Sequence, residues 1–407
     1  MVIVNRITDK KRIEKLKPPI LIYGRRKTGK TFFAKEFFSN AYYFFVRRNR
    51  SIYFENRNES ITYRELTRII EELKEKTIIV DEFHRLPEEF LDWLHIKSPK
   101  NLVLVTSTLH LVKNLLEKSS PILGLFLEFR MDLIDERDIL LNLKEKIKDY
   151  KKLIEFSTYL REPMLLKWFG INLTSILKNL KLVIPSLVGE IFAEEEKELS
   201  ERYEGIIRAL SSGKTTLSEI TSSLYSNKLI PRQDVSSVKP YLNTLLEMGL
   251  VKRIPEYFGK RYYYFVSSPV IDLYYYLDEK YNFSERDLDE KYITEKIPMH
   301  VEDFIRELLG KIFGMRTFII NKPNMEVEIA LARFKKLKIV GEVKWKRRVS
   351  KAEIKEIEEK LEKFKGCRKI LVVPSKDVVE KKPERVEVWD IGMILKEIKN
   401  IYNFRLY

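Results

Sequence analysis

The run Gly24-Arg25-Arg26-Lys27-Thr28-Gly29-Lys30-Thr31 constrains this chain more than any other, because it follows the apolar β-type segment Ile20–Tyr23 and opens a helical one. A Gly-x-x-x-x-Gly-Lys-Thr run in that setting has a physical logic. Gly24 permits a sharp turn out of the strand. The backbone N–H groups from Arg26 to Lys30 then point inward at a helix N-terminus, where partial positive charge gathers. Lys30 adds a full charge that reaches β- and γ-phosphate oxygens, and Thr31 offers a hydroxyl to a hard cation. The expectation is an α/β unit built around a phosphate-binding loop, with ATP and Mg²⁺ as the bound groups and all eight residues in contact with the nucleotide.

A second run, Thr77-Ile78-Ile79-Val80-Asp81-Glu82, is an apolar strand ending in two adjacent carboxylates. Asp81 suits a Mg²⁺ shell and Glu82 suits a general base that orients or deprotonates a water. Together the two runs predict neighbouring strands of one sheet. A third strand, Val103-Leu104-Val105-Thr106-Ser107-Thr108, ends in hydroxyls. Ser107 is the candidate γ-phosphate sensor, although a hydroxyl there also serves as a helix N-cap. His84, just past Glu82, reads as surface or packing rather than catalysis.

At 407 residues the chain exceeds one core, and its patterning changes along its length. Strands are expected at 20–23, 41–46, 77–80, 101–106 and 125–131, with helices at 30–38, 62–76 and 109–118. This gives a P-loop NTPase parallel sheet over 1–135. Residues 136–202 read as helices only, a lid. Residues 203–277 carry three helical patterns (203–210, 217–224, 235–248) and then a hairpin, the order of a winged helix. A charged linker, 278–298, precedes an α+β unit of helix, strands, helix and strand over 299–407.

The formal net charge of +16 favours polyanionic partners. Lys252, Arg253, Lys260 and Arg261 flank the expected hairpin among Tyr257, Tyr262 and Tyr263, which suits phosphate contacts with aromatic packing on DNA. The helix 235–248 is poor in Arg and Lys, so base-specific readout is not expected. The competing reading is that this unit packs on the core and transmits its nucleotide state. A single cysteine, Cys367, rules out an intramolecular disulfide and a Cys cluster for zinc, which fits a reducing cytoplasm. No segment approaches the roughly 20 apolar residues of a membrane span, and the N-terminus is not a secretory signal.

In the last unit, Met325-Glu326-Val327-Glu328-Ile329-Ala330 and Ile339-Val340-Gly341-Glu342-Val343-Lys344-Trp345 read as two strands. Alternation puts Glu342 and Lys344 on one face. If the strands pair, Glu328 joins them, giving two carboxylates for a Mg²⁺ and a lysine to position hydroxide, a phosphodiesterase arrangement. An active nuclease, a DNA-binding relic and a solvated strand face are all compatible with this pattern.

These residues in combination resemble the archaeal ATPases of the STAND group that carry a C-terminal PD-(D/E)XK nuclease domain. Val4-Asn5-Arg6 is similar to that group's short motif near the nucleotide base, and Arg25-Arg26, Asp81-Glu82 and Ser107 fall in matching order. The resemblance implies an α+β restriction-endonuclease-like fold for 299–407 and a role for Glu302 as the acidic residue preceding the nuclease strands. Three positions depart from the pattern. Gly124 is followed by Leu125 where an arginine is usual, leaving Arg130 as a substitute. Arg161-Glu162-Pro163 lacks the glycine of the lid motif. Glu328 stands where Asp is normal. An arginine near a γ-phosphate is worth orders of magnitude in rate, so a slow switch is expected rather than a fast motor. The expected activity is a Mg²⁺-dependent ATPase acting on DNA, mainly without sequence specificity, and compatible with a homo-oligomer. The alternative is an assembly protein acting on protein partners.

Overall fold

The computed structural model describes residues 2–109, 112–113, 124–195, 197–323 and 325–404. The helix expected over 109–118 falls mostly outside that set. The first unit is a seven-stranded sheet of order β4-β3-β2-β5-β6-β1-β7, made of β1 (Ile20–Tyr23), β2 (Tyr42–Val46), β3 (Ile52–Phe54), β4 (Glu59–Ile61), β5 (Ile78–Asp81), β6 (Leu102–Thr106) and β7 (Leu127–Arg130). The strands β2, β5, β6, β1 and β7 run parallel, whereas β3 and β4 extend one edge as an antiparallel hairpin. Every residue of β5 and β6 is buried, as expected for strands covered on both faces.

The expectation of adjacent motif strands is corrected here. The strand that leads into Gly24 and the strand that ends at Asp81 do not touch, because β6 lies between them. Strand order is set by the crossover helices that cover the sheet, not by distance along the chain. The parallel register aligns Ile79 with Val103 and Val103 with Ile20. The carboxyl ends of β5, β6 and β1 therefore open side by side.

The helix Lys30–Phe37 is held to this sheet by Phe33, which is 1% exposed and stacks on Phe129 of β7 at 5.7 Å between ring centroids. Burial of such a ring is worth about 1.5–3 kcal/mol. The helix Tyr63–Glu72 starts at a capping box in which Thr62 N–H donates to Glu65 at 2.7 Å.

Residues 136–194 form the helices Glu136–Lys144, Tyr150–Leu160, Leu173–Lys178 and Leu180–Glu194, with a 3₁₀ turn at Pro163–Trp168. The helices Glu201–Ser211, Leu217–Ser226 and Val235–Glu247 follow, then an antiparallel hairpin of β8 (Val251–Pro255) and β9 (Tyr262–Val266). One hydrophobic cluster runs from these helices into Pro269–Tyr281 and Ile297–Phe313. The stretch 278–298, read from its charge as a linker, buries Phe283, Leu288, Ile293 and Ile297 in that cluster. Most of its charges are exposed, whereas Asp278 and Lys296 are buried with these apolar residues, which a charge count does not detect.

The last unit has a five-stranded sheet, β10-β13-β14-β15-β16, with β10 (Arg316–Thr317), β13 (Ile329–Arg333), β14 (Lys336–Val343), β15 (Arg368–Val372) and β16 (Glu387–Trp389). A separate pair is β11 (Ile320–Lys322) with β12 (Met325–Val327). The run 325–330, expected as one strand, is thus two strands of two sheets that meet at Glu328. Among the described residues, no helix is long and apolar enough to cross a membrane.

The final helix, Ile391–Phe404, returns to the first unit, where Tyr402 donates to Asp138 at 2.6 Å and stands 2.7 Å from the Thr8 hydroxyl. Burial pushes the Asp138 carboxyl up to about 6. A carboxyl raised above its unfolded value of roughly 3.9 contributes stability that is present below that pH and lost as pH rises through the folded value. Asp138→Asn is therefore expected to flatten the fall in unfolding free energy between about pH 4 and 6, a difference on the order of 2 kcal/mol. Urea titrations of both proteins across that interval check it, and parallel slopes would refute it.

Candidate nucleotide site

Gly24 turns so tightly off β1 that a Cβ there would stand 2.1 Å from the Met131 carbonyl oxygen. Gly29, with φ +89°, caps the helix Lys30–Phe37 in the left-handed region that favours glycine. Lys30 is 6% exposed and folds back on the loop, donating to Gly24 O at 2.8 Å and Arg25 O at 2.9 Å. Burial lowers its pKa to about 8, against the opposing pull of Glu82 and Asp81. Thr28 braces the loop from within by donating to Arg25 O at 2.9 Å.

Arg6, in the motif that the resemblance puts near the nucleotide base, braces the phosphate loop. It donates to Thr28 O at 2.7 Å and to Asp132 O at 2.8 Å, and pairs with Asp9 at 2.7 Å. A guanidinium has donors for all three partners at once, which ties the loop to the exit of β7.

Thr31 donates to Asp81 at 2.6 Å, and Tyr43 donates to the same carboxylate oxygen at 2.8 Å. Asp81 is 1% exposed, and burial raises its pKa. A hydroxyl and a buried carboxylate in contact are a fitting donor pair for a hard divalent cation. Glu82 has left-handed backbone, φ +56°, which costs a non-glycine residue roughly 1–2 kcal/mol. That turn aims its carboxylate at Ser107, whose hydroxyl lies 3.0 and 3.1 Å from the two Glu82 oxygens. Arg26, Lys27, Gly29, Lys30, Thr31, Glu82 and Ser107 thus line one open cavity of about 890 Å³.

Several residues at this site were not singled out from sequence. Glu194, at the end of Leu180–Glu194, ion-pairs with Arg26 and lies 3.2 Å from the Ser107 hydroxyl. Glu190, one turn earlier, pairs with Arg26 at 2.6 Å. Arg85 reaches Glu194 at 3.3 Å. His84, read as surface or packing, has Nδ1 3.0 Å from Thr106 Oγ1 and Nε2 3.6 Å from Glu194. Glu82, His84 and Glu194 bring candidate ligand atoms within 4.8 Å of one another. The available signal was two acids four apart on an otherwise apolar helix, a spacing that shares one face.

Arg130 does not substitute for the missing arginine. It pairs with Asp132 at 3.0 Å and lines a cavity behind the loop with Arg25 and Thr28. Arg25 turns the same way and donates from one nitrogen to both oxygens of Glu162, at 2.6 and 2.8 Å. Glu162 also accepts from Ser268 at 2.7 Å. Arg161 stands where the glycine of that motif was expected, and Glu162 beside it forms a buried ion pair with Arg25.

Of the hairpin cations, Arg253, on the outer side, stacks on Tyr262 at 4.7 Å, and Lys260 and Arg261 are exposed. Lys252 instead ion-pairs with Glu307 and does not join them. In the last unit Lys344 Nζ lies 3.1 Å from both Glu328 and Glu342. Glu342 is 2% exposed and also pairs with Lys360 at 2.7 Å. Glu302 is pushed up to about 7, first by burial and then by Glu328. Glu302, Glu328 and Glu342 do not reach the mutual spacing of the Glu82 group.

Gly24→Ala is expected to lower Tm and abolish nucleotide binding, since the added methyl meets backbone rather than a movable side chain; thermal melts with and without nucleotide check both. Tyr43→Phe removes one donor from a buried carboxylate and is expected to cost about 1 kcal/mol of stability with weakened Mg²⁺-dependent binding. Unchanged Mg²⁺ dependence would refute a positioning role for Tyr43.

The profile of the family described as AAA domain matches residues 16–132. Among curated proteins, none matches the chain. Solved structures that resemble it include the Walker-type ATPase of Pyrococcus abyssi, at 18% identity and TM-score 0.49, covering 67% of this chain and 96% of that one. The ORC2 protein of Aeropyrum pernix, in ADPNP and ADP complexes, is 14% identical with TM-score 0.39, covering 74% and 93%. The ORC1 protein of Aeropyrum pernix in complex with DNA is 14% identical with TM-score 0.31, covering 70% and 95%. Residues 16–132 are accordingly an AAA-type P-loop ATPase domain.

Proposed function

We propose that the chain is a slow, Mg²⁺-dependent ATP switch that acts on DNA. The observation that carries the switch is the path from Arg25 in the phosphate loop through Glu162 to Ser268, at the foot of the helix Pro269–Tyr281. The same loop that grips phosphate is thereby joined to the helical half and the hairpin, the winged helix of the sequence reading. Thr31 and Asp81 are read as holding the Mg²⁺, which when bound neutralises phosphate charge. Lys30 binds the β- and γ-phosphate oxygens, Ser107 orients the γ-phosphate, and Glu82 takes the proton of the attacking water. Its contact with Ser107 supports that role.

The net charge of +16 and the exposed Arg253, Lys260 and Arg261 support a DNA partner contacted through phosphates. The test is ATP turnover by the full chain with and without duplex DNA at several salt concentrations, beside Lys30→Ala. Turnover is expected to change with DNA, DNA affinity to fall steeply as salt rises, and Lys30→Ala to be inactive. If DNA neither binds nor alters turnover at low salt, the protein-directed assembly reading replaces this one.

A second activity is supported by one observation, the contact of Lys344 with both Glu328 and Glu342. Glu302 is raised to about 7, first by burial and then by Glu328, and the carboxylates clustered here carry negative charge that a divalent cation would offset. On this reading Glu328 and Glu342 hold Mg²⁺ and Lys344 positions hydroxide for phosphodiester cleavage. Mg²⁺- or Mn²⁺-dependent cleavage of duplex DNA is expected to vanish in Lys344→Ala. Cleavage that persists unchanged in the variant would refute it.

A further inference from the structure

Glu194 occupies an unusual position for a lid carboxylate. It meets Arg26, Arg85 at 3.3 Å, His84 at 3.6 Å and Ser107 at 3.2 Å. His84, first, and then the Arg26 and Arg85 guanidiniums hold its pKa down at about 2, so it is an anion. Two of them, Arg26 and Ser107, line the cavity that also holds Lys30, Thr31 and Glu82. Ser107 has one hydroxyl proton, yet oxygens of both Glu82 and Glu194 lie between 3.0 and 3.2 Å from it, so it can serve only one carboxylate at a time.

We infer that Arg26 is the cation that receives the terminal phosphate, and that Glu194 competes with that phosphate for Arg26 and Ser107, so that the chain tells triphosphate from diphosphate by exchanging one anion for another. This rests on the nucleotide reading above and adds its specificity. A γ-phosphate reaching Lys30 and Glu82 brings up to two charges and three acceptor oxygens beside Arg26, whose guanidinium bonds phosphate in a fork. A carboxylate brings one charge and leaves. A diphosphate ends short of Ser107 and leaves Glu194 in contact. Because Glu190 and Glu194 are both held by Arg26, the exchange also frees the end of the helix Leu180–Glu194 from the phosphate loop. A ligand shifts such an equilibrium only by its difference in affinity for the two arrangements, and here the difference lies in the terminal phosphate alone.

The experiment is calorimetric titration of the full chain, in Mg²⁺, with ADP and with a non-hydrolysable ATP analogue. Glu194→Gln keeps the side-chain shape and removes the competing charge. It is expected to tighten the triphosphate analogue about tenfold while ADP affinity moves less than about twofold. Glu190→Gln, whose carboxylate is 40% exposed and does not reach Ser107, is expected to give a smaller gain. In an Arg26→Ala background the gain from Glu194→Gln should disappear, the non-additivity of two groups that share a contact. Glu194→Asp, which withdraws the carboxylate by one methylene, should act in the same direction and serves if the Gln variant does not fold. Equal tightening of ADP and the analogue, no tightening at all, or a gain that survives Arg26→Ala would overturn the inference. A wild-type chain that binds neither nucleotide would instead overturn the nucleotide reading and this inference with it.

Discussion

Everything at the nucleotide site depends on three parallel strands ending side by side. β5, β6 and β1 are in register, so Asp81-Glu82, Ser107 and the phosphate loop leave the sheet along one edge. None of these residues can meet another without that alignment. A carboxylate at Asp81 reaches the Thr31 hydroxyl only because β6 spaces the two outer strands by its own width, and Ser107 on that spacer then reaches Glu82. Buried on both faces, the strands have little freedom to slide, which is how an apolar core fixes polar geometry to within a hydrogen bond.

The rest of the chain is tied to this edge by ion pairs removed from water. Arg25 with Glu162 holds the loop to the helical half, and Arg161 with Glu136 at 2.7 Å and Glu307 at 3.6 Å continues toward the last unit. Lys252 of the hairpin and Lys311 join the same group through Glu307 and Glu136. Buried pairs of this kind add little net stability, because desolvation offsets much of their attraction. Breaking one leaves an uncompensated charge, however, so each pair strongly disfavours other arrangements. The junction is therefore better understood as a device that specifies relative position than as a source of stability.

The two halves of the candidate site differ in how far they could be read from the chain. The phosphate loop and Asp81-Glu82 were legible because each is a local pattern whose chemistry depends on a strand end and a turn. Strand order was not, and the expected neighbours turned out to have β6 between them. The contacts of Arg6, His84, Glu162 and Glu194 were not legible, since each reaches residues far away in sequence, as Arg25 with Glu162 and Arg26 with Glu194 illustrate. In the last unit, strand alternation brought Glu328 into consideration beside Lys344, from which it lies 3.1 Å, although the single strand assumed for it is a junction between two.

The sequence by itself determined that a loop with this glycine spacing follows an apolar strand, that a strand ends in two acids, and that the surface is strongly basic. Those are properties of neighbours along the chain, where backbone geometry leaves few choices. Only the tertiary structure decided which carboxylates face the arginines of the loop, which lysine of the hairpin is turned inward, and that an apolar helix delivers Glu194 to Ser107. Such contacts depend on how helices pack against one another, and packing is set by the summed fit of buried side chains rather than by any local run of residues.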